Sequence, residues 1–127
     1  MVAVARVIDQ PSSPPGASAQ AIDTHHLARM TLGELSLQRE VLALFDRQAD
    51  ILLPRIRRGA PAVAVASAHT LKGSAVGIGA FKVARAAEAV EQARGRDIPD
   101  AAVAAAIDTL TAVLDEAKAE IASLLRT

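Results

Sequence analysis

The chain has 127 residues, enough for one hydrophobic core and too few for two. Half of it is hydrophobic (51%), only 2% is aromatic, and fourteen basic residues balance fourteen acidic ones. A neutral chain with no basic stripe is a poor match for nucleic acid or an anionic membrane surface. The absence of cysteine excludes disulfides, thiolate metal sites and a cysteine nucleophile.

An aliphatic, alanine-rich composition suits closely packed helices better than a sheet. No strand alternation and no Asn-Gly or Asp-Gly hairpin turn interrupts that reading. Residues 1–8, MVAVARVI, are apolar with one arginine, too short to span a membrane. They also lack the long apolar region and small-residue cleavage site of a signal peptide, so a soluble, cytoplasmic protein is expected. Gln10 to Gln20 reads QPSSPPGASAQ, with three prolines, three serines and a glycine. Such a stretch has little apolar area to offset its ordering entropy. A flexible tail over residues 1–21 and one domain over 22–127 are therefore expected.

Asp23 is expected to cap a short helix with Leu27 and Met30 facing inward, and Gly33 to end it. A longer helix follows over about 34–58. Its stripe Leu42, Phe45, Ala49, Leu52, Ile56 repeats at 3, 4, 3 and 4, the spacing of one buried face. Pro54 falls inside that pattern, and proline removes a backbone donor and crowds the previous turn, so a kink or break is expected near Asp50 to Leu53. Arg55, Arg57 and Arg58 read as a solvated, dipole-compensating helix end.

Pro61 suits the first turn of the next helix, expected over 61–77. Another helix is expected over 80–94, with Ala80, Val83, Ala87 and Val90 inward. Asp100 should cap the last helix, whose stripe Val103, Ile107, Leu110, Leu114, Ala117, Ile121, Leu124 alternates 4 and 3 throughout. Short turns between long amphipathic helices imply an all-α fold. The expectation is an antiparallel four-helix bundle with a short additional N-terminal helix.

Chemistry-bearing residues concentrate in Ala68-His69-Thr70-Leu71-Lys72-Gly73-Ser74-Ala75, running on to Ile78-Gly79-Ala80. Ala68, Leu71, Ala75 and Ile78 form an inward stripe. His69, Lys72, Gly73 and Val76 repeat on a face about 130° away at 100° per residue. His69 should therefore point outward while Leu71 anchors the helix. Lys72, one turn on, could stabilise negative oxygens arriving at His69. Gly73 costs roughly 1 kcal/mol in mid-helix relative to alanine, which suggests that something approaches closely there. On spacing alone, a surface histidine beside a lysine more often has no function.

These residues closely resemble the signature of histidine-containing phosphotransfer (HPt) domains. The match continues in Glu91, where the family often carries Glu or Gln, and upstream from Ile22-Asp23 through Phe45, so that it covers about residues 22–126. The resemblance implies that His69 is the phosphoryl acceptor, usually through Nε2, with Lys72 stabilising phosphoryl charge and Gly73 clearing room for the partner. The phosphoryl group would pass to and from aspartates of response-regulator receiver domains or a hybrid histidine kinase. Mg²⁺ would reside in the receiver, with no cofactor or metal bound by this chain. Val83 stands where leucine is commoner, and Pro54 is less expected. The Gly73/Gly77/Gly79 spacing fits neither a phosphate-binding loop nor a dinucleotide fingerprint, so ATP-dependent kinase activity is not expected.

The implied function is a monomeric phosphorelay intermediate of two-component signalling, with no nucleic acid or membrane partner. The alternative is a helical docking module for a receiver or kinase that takes no phosphate. A histidine-kinase dimerisation hairpin fits less well, since Thr70 replaces the acidic residue expected after the histidine. Adjacent His25 and His26 point about 100° apart and read as a solvated helix start, not a metal pair. Glu88 and Glu91, interspersed with Arg85, Arg94 and Arg96, read most simply as a salt-bridged exposed face. Glu91 is also a candidate to reach His69 across the bundle and orient its ring, an idea that fails if the two lie more than about 6 Å apart.

Overall fold

The computed structural model describes residues 20–96 and 98–126, and the tail expected over the first nineteen residues lies outside them. The described residues form five helices and no strand: α1 (Thr24–Met30), α2 (Leu35–Arg58), α3 (Pro61–Ile78), α4 (Phe81–Arg94) and α5 (Asp100–Arg126). α3 packs against both α2 and α4, and α5 against both α4 and α2, so the four long helices make a closed ring of contacts around one core; α1 lies against α3.

The core is built from the expected stripes. Leu42, Phe45, Ala49, Leu52 and Ile56 of α2 are buried, as are Ala68, Leu71, Ala75 and Ile78 of α3. Val83, Ala87 and Val90 of α4 and the α5 seam from Val103 to Ile121 close it, with Leu124 partly buried at the end. Each fully buried large aliphatic or phenyl group contributes about 1.5–3 kcal/mol of transfer free energy. Alanines at the α3–α4 contact let two backbones approach closely, which is why few aromatic residues suffice.

Four local expectations are corrected. α2 runs through Pro54 as one element, so a break near Asp50 to Leu53 does not occur. Pro54 and Asp50 are both exposed, so the carbonyl that loses its helical donor can be met by water. Met30 points outward, 58% exposed, because Thr31 and Leu27 rather than Met30 turn into the core at that end. Asp100 is the first helical residue and not the cap, since the Pro99 carbonyl accepts the amides of Ala102 and Val103. His26 packs its ring edge-on against Phe81 at 5.1 Å instead of standing in solvent.

Contacts between residues far apart in sequence tie the ends together. The Glu120 carboxylate accepts the backbone amides of Ala21 (2.9 Å) and Ile22 (3.2 Å), seating the fully buried Ile22 against the core. The next amide, of Asp23, donates to the Gly79 carbonyl at 2.9 Å. Asp23 then caps α1 by accepting from the His26 amide at 3.0 Å, and that bond holds its carboxyl below the usual value although burial opposes it. Gly79 itself has φ +83° and ends α3, while the Ala80 amide reaches back to Ala75 at 2.8 Å. A Cβ on Gly79 would lie 2.8 Å from the Asp23 carbonyl oxygen. Gly79→Ala should therefore destabilise the protein by about 2 kcal/mol or more, from the left-handed backbone and the clash together. Gly77→Ala, which meets nothing within 4 Å, should stabilise it by up to about 1 kcal/mol. Urea midpoints of the two variants should move in opposite directions.

Lys118 on α5 joins two carboxylates of α2, with its Nζ 2.7 Å from Asp46 and 2.8 Å from Asp50. Burial lowers the lysine's proton affinity, but the hydrogen bonds that it donates to Asp46 and Asp50 more than offset it, leaving the group above its ordinary 10.5. A raised folded-state value contributes stability in full below pH 10.5 and loses it as pH climbs through the folded value. Lys118→Met should cost no more than about 1 kcal/mol near neutrality, because the cluster is part-exposed. It should also flatten the alkaline loss of stability seen in urea melts above pH 10.5.

Candidate functional site

α3 presents opposite properties on its two sides. Ala68 and Leu71 are fully buried in the core, and His69, which lies between them in sequence but turns away from both by about 100° or more, leaves 66% of its side chain exposed. Pro61 at the first turn and the glycine stop at Gly79 fix the helix's length, and burial of Ala68 and Leu71 sets its rotation and so where the imidazole points. Gly73 and Val76 share that outer face and are also exposed.

Glu91 of α4 reaches the histidine directly. Its Oε2 lies 3.0 Å from His69 Nδ1, well inside the limit set for an orienting role. Its other oxygen, Oε1, is 3.5 Å from Lys72 Nζ, an ion pair too long to be a hydrogen bond. One carboxylate thus holds both the imidazole and the ammonium that sit one turn apart on α3. An ionised carboxylate only accepts, so the contact suits the ring form that carries a proton on Nδ1. Because the Glu91 and Lys72 side chains are only 23% and 29% exposed, the pair is shielded while the imidazole edge stays open.

Gly73 has nothing within 4 Å of where a Cβ would be, so the protein's own packing leaves room for a side chain there. The salt-bridged face expected on α4 is not formed: among the described residues no ion pair joins Arg85, Arg94 or Arg96 to Glu88 or Glu91, since His69 and Lys72 take Glu91 instead. Two residues that the sequence offered in other roles, Thr70 and Arg94, lie beside the site. They line a shallow, mostly apolar surface depression beside His69, together with Pro61, Val65 and Ala66. Arg94 follows Glu91 by three residues, and the sequence reading put it on that face as a salt-bridge partner and not as part of the depression. Among the described residues no three His, Asp or Glu side chains gather as a metal site, and His25 and His26 do not converge on one.

No helix among the described residues is long and apolar enough to cross a membrane. No curated protein and no solved structure matches the chain. The family model for the Hpt domain matches residues 37–120, which takes in nearly all of α2, the whole of α3 and α4 and most of α5. That span covers about two thirds of the chain and contains His69, Lys72, Gly73 and Glu91, so the chain belongs to the Hpt domain family, the histidine phosphotransfer modules of two-component signalling.

Proposed function

We propose that this protein is a phosphorelay intermediate that accepts a phosphoryl group on His69 Nε2 and returns it to aspartates of receiver domains. The observation that carries the reading is the 3.0 Å contact between His69 Nδ1 and Glu91 on an otherwise exposed imidazole. The Nε2 lone pair attacks the phosphorus of an aspartyl phosphate. A nitrogen–phosphorus bond forms as the bond from phosphorus to the aspartyl oxygen breaks, and the leaving carboxylate keeps that electron pair. Glu91 retains the Nδ1 proton throughout and offsets the positive charge that the ring acquires. The reverse sequence returns the group.

Lys72 needs only a small rotation to exchange its long contact with Glu91 for phosphoryl oxygens, where a charge-assisted bond is stronger. Gly73 gives the receiver's loops a place to approach. Phosphoryl transfer of this kind requires alignment and charge stabilisation more than covalent chemistry. The receiver supplies Mg²⁺ and the remaining acidic groups, so the chain acts as a carrier and not an ATP-dependent kinase. Its partners on this reading are receiver domains or a hybrid histidine kinase in the cytoplasm, met by a monomer whose four long helices run antiparallel; the two-residue connections from α2 to α3 and from α3 to α4 support that arrangement.

His69→Gln should abolish uptake of acid-labile phosphate from a phosphorylated receiver while leaving the circular dichroism and urea midpoint unchanged. Equal labelling of this variant and the wild type would overturn the assignment, and receiver binding without any labelling of the wild type would identify a docking module instead. Lys72→Ala should slow transfer about 10- to 100-fold, the equivalent of one charge-assisted bond, without eliminating it.

Glu91 has a separate readout. With Glu91→Ala the ring loses the acceptor that fixes its proton on Nδ1, so ¹⁵N spectra of His69 should show the other neutral tautomer gaining population and transfer should slow. Glu91→Gln offers a carbonyl oxygen in the same place and should restore most of the tautomer preference. Unchanged spectra in Glu91→Ala would remove its positioning role.

A further inference from the structure

On the side of the bundle where α1 meets α2 and α3, an apolar groove of about 340 Å³ opens to solvent. Met30, Leu37, Val41, Leu44, Gly77 and Ile78 line it, and none of its lining residues carries a charge. The flank is more apolar than solvent exposure alone favours: Met30, Leu35 and Leu44 are 58%, 72% and 51% exposed, and Leu32 is 88% exposed. Leu32 also holds a left-handed backbone, φ +55°, an unfavourable conformation for leucine that no buried contact compensates. At the groove floor, Gly77 has no atom within 4 Å of a would-be Cβ, so a helix-weakening glycine keeps the cleft deep without serving the protein's own packing.

The same chain contains a segment of matching chemistry. Residues 1–8, MVAVARVI, are apolar at every position but Arg6. Their tether is Asp9 to Ala19, eleven residues including three prolines, joined to the bundle at Gln20. Such a tether can extend about 34 Å at 3.1 Å per residue. Ala21 to Asp23 are bonded to Glu120 and Gly79, and Gly79 directly follows Ile78 of the groove, so the tether starts at the groove's own end of the bundle. The path along the seven residues of α1 is about 10 Å, and Leu37 to Gln48 of α2 run for about 17 Å. The tether exceeds the two together. Charge also agrees: exposed Glu40 lies one helical turn from both Leu37 and Leu44, at the rim where Arg6 would emerge.

We propose that residues 1–8 dock in cis into the α1–α2–α3 groove, with Val2, Val4, Val7 and Ile8 supplying the apolar contacts and Arg6 facing Glu40. The docked segment covers Ser74 and Gly77, on the same helix that carries His69. Its effect on receiver access rests on the phosphotransfer reading; the docking itself does not.

Methyl-labelled full-length protein tests this without phosphate. Nuclear Overhauser contacts are expected between the methyls of Val2, Val4, Val7 and Ile8 and those of Met30, Leu37 and Leu44, unchanged on tenfold dilution. The double substitution Val4→Asp with Ile8→Asp should abolish these contacts and shift the Leu37, Val41 and Leu44 methyl resonances, leaving those of Leu110 and Leu114 in place. Leu44→Asp, at an exposed position that the fold does not need, should release the segment from the other side. Groove resonances that ignore the double substitution would overturn the proposal. So would contacts that vanish on dilution, which would assign the groove to a second copy of the chain.

Discussion

Burial of α3 between two neighbours is the constraint on which everything else depends. With α2 on one side and α4 on the other, rotation of α3 is set by Ala68, Leu71, Ala75 and Ile78, all of which must stay in the core. That rotation leaves a single outward sector, and His69, Lys72, Gly73 and Val76 fall in it. The imidazole is therefore aimed by packing energy some distance away from it, and no part of the exposed face has to hold itself in place. Glu91, which reaches His69 from another helix, comes from α4, the element against which α3 packs most extensively.

The Glu91 carboxylate serves two cations-in-waiting with one charge. Toward His69 it makes a contact of 3.0 Å at Nδ1, which on the proposed reading selects the tautomer with a nucleophilic Nε2. Toward Lys72 it makes a contact of 3.5 Å, close enough to keep the ammonium near and too long to hold it firmly. In the proposed transfer, a tighter pair would raise the barrier to handing Lys72 over to an arriving phosphoryl group, and a missing one would leave the ammonium free to wander. Partial shielding of both groups strengthens these interactions relative to a fully solvated face, without the desolvation that a buried ion pair would impose.

Much of this was legible in the sequence because it depends on helical spacing. The stripes of α2, α4 and α5 and the two faces of α3 follow from positions three and four apart, and burial bears out each of those inward sets apart from the last residue of α5, which is only partly covered. The expectations that missed depended on something periodicity does not carry. Met30 turned outward because seven residues of α1 are oriented by the Asp23 and Thr31 bonds more than by an apolar stripe. Pro54 left α2 unbroken because what it forfeits faces water. His26 found Phe81, and Glu120 found Ala21 and Ile22, across distances in sequence that no local pattern spans. For Glu91 the register gave the face, but the 3.0 Å separation depends on how closely alanine-lined α3 and α4 approach.

The glycines of α3 separate structural need from need imposed from outside. Gly79 is required by the fold itself, since its backbone is left-handed and Asp23 crosses where a Cβ would stand. Gly73 and Gly77 are not: both sit in helical backbone with open space around them, where alanine would make α3 more stable. They lie one turn apart and open onto different surroundings, Gly73 beside His69 and Gly77 in the apolar groove. Two unforced glycines in one helix, each lowering its stability by up to about 1 kcal/mol, are hard to attribute to packing among the described residues. Their positions mark the two places where another surface would come closest to α3, and both places are where the chemistry independently calls for an occupant.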